Sequence, residues 1–181
     1  NEAFATAVGE EGVRRWFEVK GDPVQLERVE KDRARRQQFV QLILDTRDQL
    51  NALYESDRSA DEKRFRKKEI LAGLRDRYNE LKANEWNGFD GYDEWFDGPL
   101  NNAQLNTVST YYTLVPAFHH LLKEANGDFA QFYTAASRLT KLSKPERHQR
   151  LVEILKRKQV ETIARANDSD PVKSAAEPKG N

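Results

Sequence analysis

Apolar residues along this chain recur at steps of three and four rather than two. Phe39, Ile43, Thr46, Leu50 and Leu53 make one such stripe, and Leu71, Leu74, Tyr78 and Leu81 make another. Those steps keep side chains on one face of a 3.6-residue helix. The first stripe predicts a helix from about Val24 to Glu55, and the second predicts one ending near Asn84. Ser56 to Asp61 lies between them as a turn, and Ser59 followed by Glu62 fits a capping box. The two helices read as an antiparallel hairpin over about 24–84 whose seams are core. From Glu27 to Gln38 the first of them is nearly all polar, which predicts exposure or projection away from the core.

The flanking segments are also helical. Residues 1–20 place Phe4, Val8 and Glu11 on one face and Ala5, Gly9 and Gly12 on another, with Val13, Trp16 and Phe17 continuing the apolar side. Gly21 and Pro23 end that helix. Residues 85–102 carry Trp86, Phe89, Tyr92, Trp95 and Phe96 among Gly88, Gly91, Gly98 and Pro99, without a useful period. Such a stretch is a binding loop, an aromatic plug for the end of a bundle, or both. Ala103 to Glu124 is apolar on more than one face, and Pro116 predicts a kink or break near Tyr112. Two more helices follow, one marked by Phe129, Phe132, Tyr133 and Leu139, the other opened by Ser143, Pro145 and Glu146. The fold class is all-α: a multi-helix bundle with a long antiparallel hairpin. The hairpin, an aromatic loop at 85–102 and a helical bundle at 103–166 lie within one folded portion, 1–166. Residues 167–181 are too poor in apolar groups to order themselves and read as a disordered tail. No initiator Met or N-cap precedes the first helix, so the chain reads as the C-terminal part of a longer protein.

Composition narrows the chemistry. Thirty basic residues balance thirty acidic ones, which gives no support for a nucleic-acid binder. The basic clusters Lys31–Arg36 and Lys63–Lys68 are interleaved with or flanked by acids and read as solvated helix faces. Cysteine is absent, so disulfides and thiolate chemistry are excluded. No apolar run approaches the roughly 20 residues of a membrane span. His119 and His120 are adjacent and so lie about 100° apart on a helix, a poor arrangement for one metal. With His148 as the third and last histidine, a complete zinc site is not expected from this chain alone.

Glu2 has two readings. It is either a first-turn acid favoured by the helix dipole, or a metal ligand. A zinc hydrolase can take two His from an H-E-x-x-H helix and a Glu from a second helix. Here the segment Asn1-Glu2-Ala3-Phe4-Ala5-Thr6-Ala7-Val8, followed by Glu11-Gly12-Val13-Arg14-Arg15-Trp16, resembles the segment after the H-E-x-x-H helix in a predicted bacterial zinc aminopeptidase family of the gluzincin type. Tyr92-Asp93-Glu94-Trp95-Phe96, Leu100-Asn101-Asn102-Ala103-Gln104-Leu105, Tyr111-Tyr112, Val115-Pro116-Ala117-Phe118 and Gly127-Asp128-Phe129 continue the likeness, over about residues 1–155.

The resemblance implies a part of a zinc metallo-aminopeptidase, with Glu2 as third zinc ligand. Zinc then requires His ligands from an H-E-x-x-H segment that is absent here, so this chain alone is expected to be inactive. Tyr111 or Tyr112 is the implied oxyanion donor, with two aromatic core residues as the plainer reading. Asn101 and Asn102 are candidate substrate contacts, although one of them is a natural N-cap. Glu10 and Glu11 face either a substrate ammonium or solvent. Thr6 stands where many gluzincins have an Asp supporting a zinc His, which leaves that role to another group such as Asn1. The implied partners are a peptide substrate and the upstream part of the same protein. The family's implied location is periplasmic or envelope-associated, and the chain's own composition fits the cytoplasm equally. The competing class is a non-enzymatic helical interaction module that binds a partner through its hairpin.

Overall fold

The computed structural model of the protein describes residues 2–168, with side chains described for 2–157. Residues 169–181, most of the segment expected as a disordered tail, lie outside the described residues. Eight helices and no strand occur among the described residues: α1 (Glu2–Lys20), α2 (Pro23–Glu55), α3 (Ala60–Asn84), α4 (Asp93–Asp97), α5 (Asn102–Tyr112), α6 (Val115–Glu124), α7 (Phe129–Thr140) and α8 (Lys144–Asp168). The fold is all-α, as the periodicity predicts. It divides into two compact units, one of residues 1–113 and one from Leu114 onward.

The first unit is built around α2, which α1, α3 and α5 each contact. Every residue of the first predicted seam is buried, from Phe39 to Leu53. Thr46 is fully buried among them, and its hydroxyl is satisfied twice. It donates to Leu42 O at 2.8 Å and accepts from Arg77 at 2.9 Å. A buried hydroxyl without such partners costs about 1–3 kcal/mol. On α3, Leu74 and Tyr78 are buried and Leu71 and Leu81 pack beside them. The capping box at Ser59 and Glu62 forms in both directions. No residue from Ala60 to Gly73 is buried, so the first half of α3 extends past the core.

The aromatic segment closes the space between α2 and α3 as a plug. Its chain turns back after α3 through Asn87 and Gly88, at φ 52° and 78°. Trp86 is 2% exposed, and its indole N–H donates to Gln38 at 2.6 Å. Tyr92 stacks on Phe39 with centroids 4.2 Å apart, and Phe96 stacks on Tyr78 at 4.1 Å. Five of its residues form the short α4, an element the aperiodic sequence does not predict.

Two expectations change. The polar half of α2 is not a free projection, because α1 lies along it and Arg36 is ion-paired with Glu10. On α1 the buried residues are Ala3, Ala7 and Glu11, whereas Val13 and Trp16 are 46% and 61% exposed. Small residues let α1 and α2 approach, so the wider apolar side chains are left outside that contact. The break expected near Tyr112 is present: α5 stops at Tyr112 and α6 starts at Val115, with Pro116 in its first turn. Proline fits a first turn because its missing N–H would have no partner there.

In the second unit α6 packs against both α7 and α8. Asp128 caps α7 by accepting from the Ala130 and Gln131 amides. Ser143 and Glu146 make the predicted box at α8, the Ser143 amide donating to the Glu146 carboxylate at 2.9 Å. Phe118, Leu122, Phe132, Leu139, Leu151 and Ile154 are buried.

Candidate functional site

Three contacts fix the register of α1 and α5 along α2. Glu10 of α1 pairs with Arg36. Arg47 donates to Asn106 at 3.0 Å and to Ser109 at 2.7 Å. The Asn102 amide donates to the Tyr54 hydroxyl at 3.0 Å. Both neighbours therefore run antiparallel to α2. Counted on from these contacts, Glu2 comes level with about Leu44 and Tyr111 with about Leu42–Asp45. The helices α1 and α5 also contact one another. The start of α1 and the end of α5 thus meet α2 at the same height.

Glu2 is exposed at the first turn of α1 and makes no hydrogen bond or ion pair with any described residue. Tyr111 is 45% exposed. Tyr112, one position on, is partly buried against the core cluster and lies close enough to Tyr92 to act on it electrostatically. Burial pushes the Tyr92 hydroxyl above its ordinary range, and the Arg36 guanidinium opposes this. The two tyrosines that the sequence leaves equivalent are therefore distinct: one faces solvent, the other the core.

Asn101 and Asn102 lie at the other end of α5, level with Tyr54. That is about ten residues along α2, or about 15 Å, from the height of Glu2. Asn101 is the N-cap of α5, accepting from the Gln104 amide at 3.1 Å. Asn102 is engaged with Tyr54. Both side chains have structural partners already.

Neither Glu10 nor Glu11 forms the solvated face that the sequence favours. Glu11 is 9% exposed, and its carboxylate accepts from Arg14 at 2.9 Å and from Arg15 at 2.7 Å. The hydrogen bond from Arg14 is the main reason its pKa falls from 4.5 to about 2, against the opposing pull of burial. The i+3 and i+4 spacing of these arginines was visible in the sequence; the burial that makes them matter was not. Another network has no local signal at all. Asp93 accepts from Tyr78 and Lys82, joining the aromatic segment to α3. Burial, then Asp93, pushes the Tyr78 hydroxyl upward.

Metal chemistry needs several donors at one point. Among the described residues no group of three His, Asp or Glu could hold an ion. The three histidines all belong to the second unit. Glu2 fits one ligand position, being an uncommitted carboxylate, and the described residues supply no complete set around it. No helix among the described residues is long and apolar enough to cross a membrane.

Residues 1–151 match the family described as putative aminopeptidase. The match spans most of the chain and includes α1 to α7 with the start of α8. The chain belongs to that family. No curated protein and no solved structure matches it.

Proposed function

We propose that this chain is the part of a gluzincin-type zinc aminopeptidase that completes the metal site and forms one wall of the peptide cleft. The family match supports peptidase chemistry, and the observation that carries the finer reading is the shared height of Glu2 and Tyr111 on α2. Glu2 is the third zinc ligand. The other two are His residues of an H-E-x-x-H helix outside these 181 residues. When bound, zinc polarises the scissile carbonyl and makes its water more acidic. The first turn of α1 presents the Glu2 carboxylate, and about two turns further on α1 is tied to α2 by the Glu10–Arg36 pair.

Tyr111 donates its hydroxyl hydrogen to the carbonyl oxygen as that atom gains negative charge. It is preferred to Tyr112 because its ring is solvent-facing, while Tyr112 anchors the end of α5 in the core. Asn101 and Asn102 have no part at the reacting bond in this reading; they set the position of α5. The protein works on peptides in the periplasm or at the cell envelope, as the gluzincin resemblance implies.

The test is hydrolysis of amino-acid amides and short peptides by the complete gene product, beside a Glu2→Ala variant. Release of N-terminal residues that is lost in the variant supports the reading. Equal activity in both removes Glu2 from the site. A second reading, a helical interaction module, has its own observation: the unburied half of α3 carries Phe65, 63% exposed, among Lys63, Arg64, Arg66, Lys67 and Lys68. A protein without zinc that retains a partner through Phe65 would favour it.

A further inference from the structure

A cleft opens between α2 and the aromatic segment, with a volume of about 440 Å³. It is lined by Arg28, Asp32, Arg35 and Arg36 from one face of α2, and by Phe89 and Tyr92 opposite. Three guanidinium groups face one carboxylate. Asp32 is neutralised by Arg35 at 3.0 Å, and Arg36 by Glu10. Arg28 enters no ion pair or hydrogen bond among the described residues, so it is the cation left over.

The Arg35 guanidinium lies 4.4 Å from the centre of the Phe89 ring. The tip of the ring rests against Gly91, where any Cβ would run into it. A flat apolar wall beside an unpaired guanidinium suits a carboxylate carried on an apolar body, because Arg binds carboxylates in a planar, two-bond geometry.

The cleft also connects to the proposed catalytic level. Tyr92 lines it and packs, as Tyr112 does, against the core cluster of the first unit. Arg36 and Arg28 lie about eight and sixteen residues back along α2 from Leu44, or about 12–24 Å. An extended peptide spans that distance with about four to seven residues.

We propose that this cleft binds the carboxylate of a short peptide whose last side chain is apolar, with Arg28 as its principal contact. The inference rests on the peptidase reading for the identity of the ligand, but the binding site stands apart from the chemistry. Carboxylate is the shared requirement, and a free C-terminus or an acidic side chain can supply it.

The test is titration calorimetry on the protein with the peptide Ala-Ala-Ala-Ala-Phe as the free acid, as the C-terminal amide, and as the amide with Glu at position four. N-acetylated copies of each are included. The free acid should bind about tenfold or more tightly than the amide, and Arg28→Ala should abolish that preference. Arg28→Lys should restore only part of it, because a point charge lacks the bidentate geometry. Recovery of affinity by the Glu-containing amide would assign the cleft to acidic side chains as well as to C-termini. Equal binding of acid and amide, or a preference unchanged in Arg28→Ala, overturns the proposal. Acetylation should leave the preference intact. If the acid preference holds while the complete gene product hydrolyses nothing, the cleft stands and the peptidase reading falls. Hydrolysis by the complete gene product together with equal binding of acid and amide would leave the peptidase reading standing and remove the cleft.

Discussion

The Tyr54 hydroxyl and the Asn102 side-chain amide meet at 3.0 Å, and that bond ties one end of α5 to the far end of α2. Arg47 repeats the attachment two turns back. Together these contacts set where the other end of α5 falls. Tyr111 arrives at the height on α2 that the first turn of α1 also reaches.

If Tyr111 is the oxyanion donor, Tyr111→Phe in the complete gene product should lower kcat by about 100-fold or more with little change in KM. Tyr112→Phe should leave both nearly unchanged. Steady-state kinetics on an amino-acid amide decides it, and the reverse pattern would move the role to Tyr112.

The fold was largely legible in the sequence, because steps of three and four among Phe39, Ile43, Thr46, Leu50 and Leu53 admit only a helix with one buried face. Capping boxes at Ser59 and Ser143 marked helix starts for the same reason: they are local. The contact face of α1 was not legible. Size rather than hydrophobicity chose Ala3 and Ala7 for close approach and left Trp16 outside. The candidate site was legible only as a set of residue types. Glu2, Tyr111, Tyr112, Asn101 and Asn102 carry suitable groups, but which of them share a height depends on Glu10–Arg36 and Tyr54–Asn102, pairs far apart in sequence.

Glu11 makes stability depend on pH. Its folded pKa is about 2 against an ordinary 4.5, so the folded state favours the charged form. The contribution is complete above about pH 4.5 and fades as pH falls toward 2. Urea unfolding of the wild type and of Glu11→Gln should differ by about 2–3 kcal/mol at pH 7 and converge near pH 2. A constant gap across that range would mean that the charge of Glu11 is not what matters.

Trp86 is the largest fully buried side chain of the aromatic plug. Trp86→Ala should cost about 3–5 kcal/mol, measured as a shift in the urea midpoint with little change in m. Trp86→Phe keeps most of the ring but leaves Gln38 without its donor, so a loss of about 1–3 kcal/mol is expected. A negligible effect of the alanine change would show that the segment is not part of the core.

The alternative basic surface is tested by Phe65→Ser. Phe65 is 63% exposed, so the change should alter the unfolding free energy by less than about 0.5 kcal/mol. A larger loss would mean that Phe65 packs in solution.

The central claim is that Glu2 is a metal ligand. The most direct measurement is the zinc content of the complete gene product, purified without chelator, for wild type and Glu2→Ala. One zinc per chain is expected in the wild type, with loss of it, or affinity weakened by at least about tenfold, in the variant. No zinc in the wild type, or equal zinc in both, would contradict it.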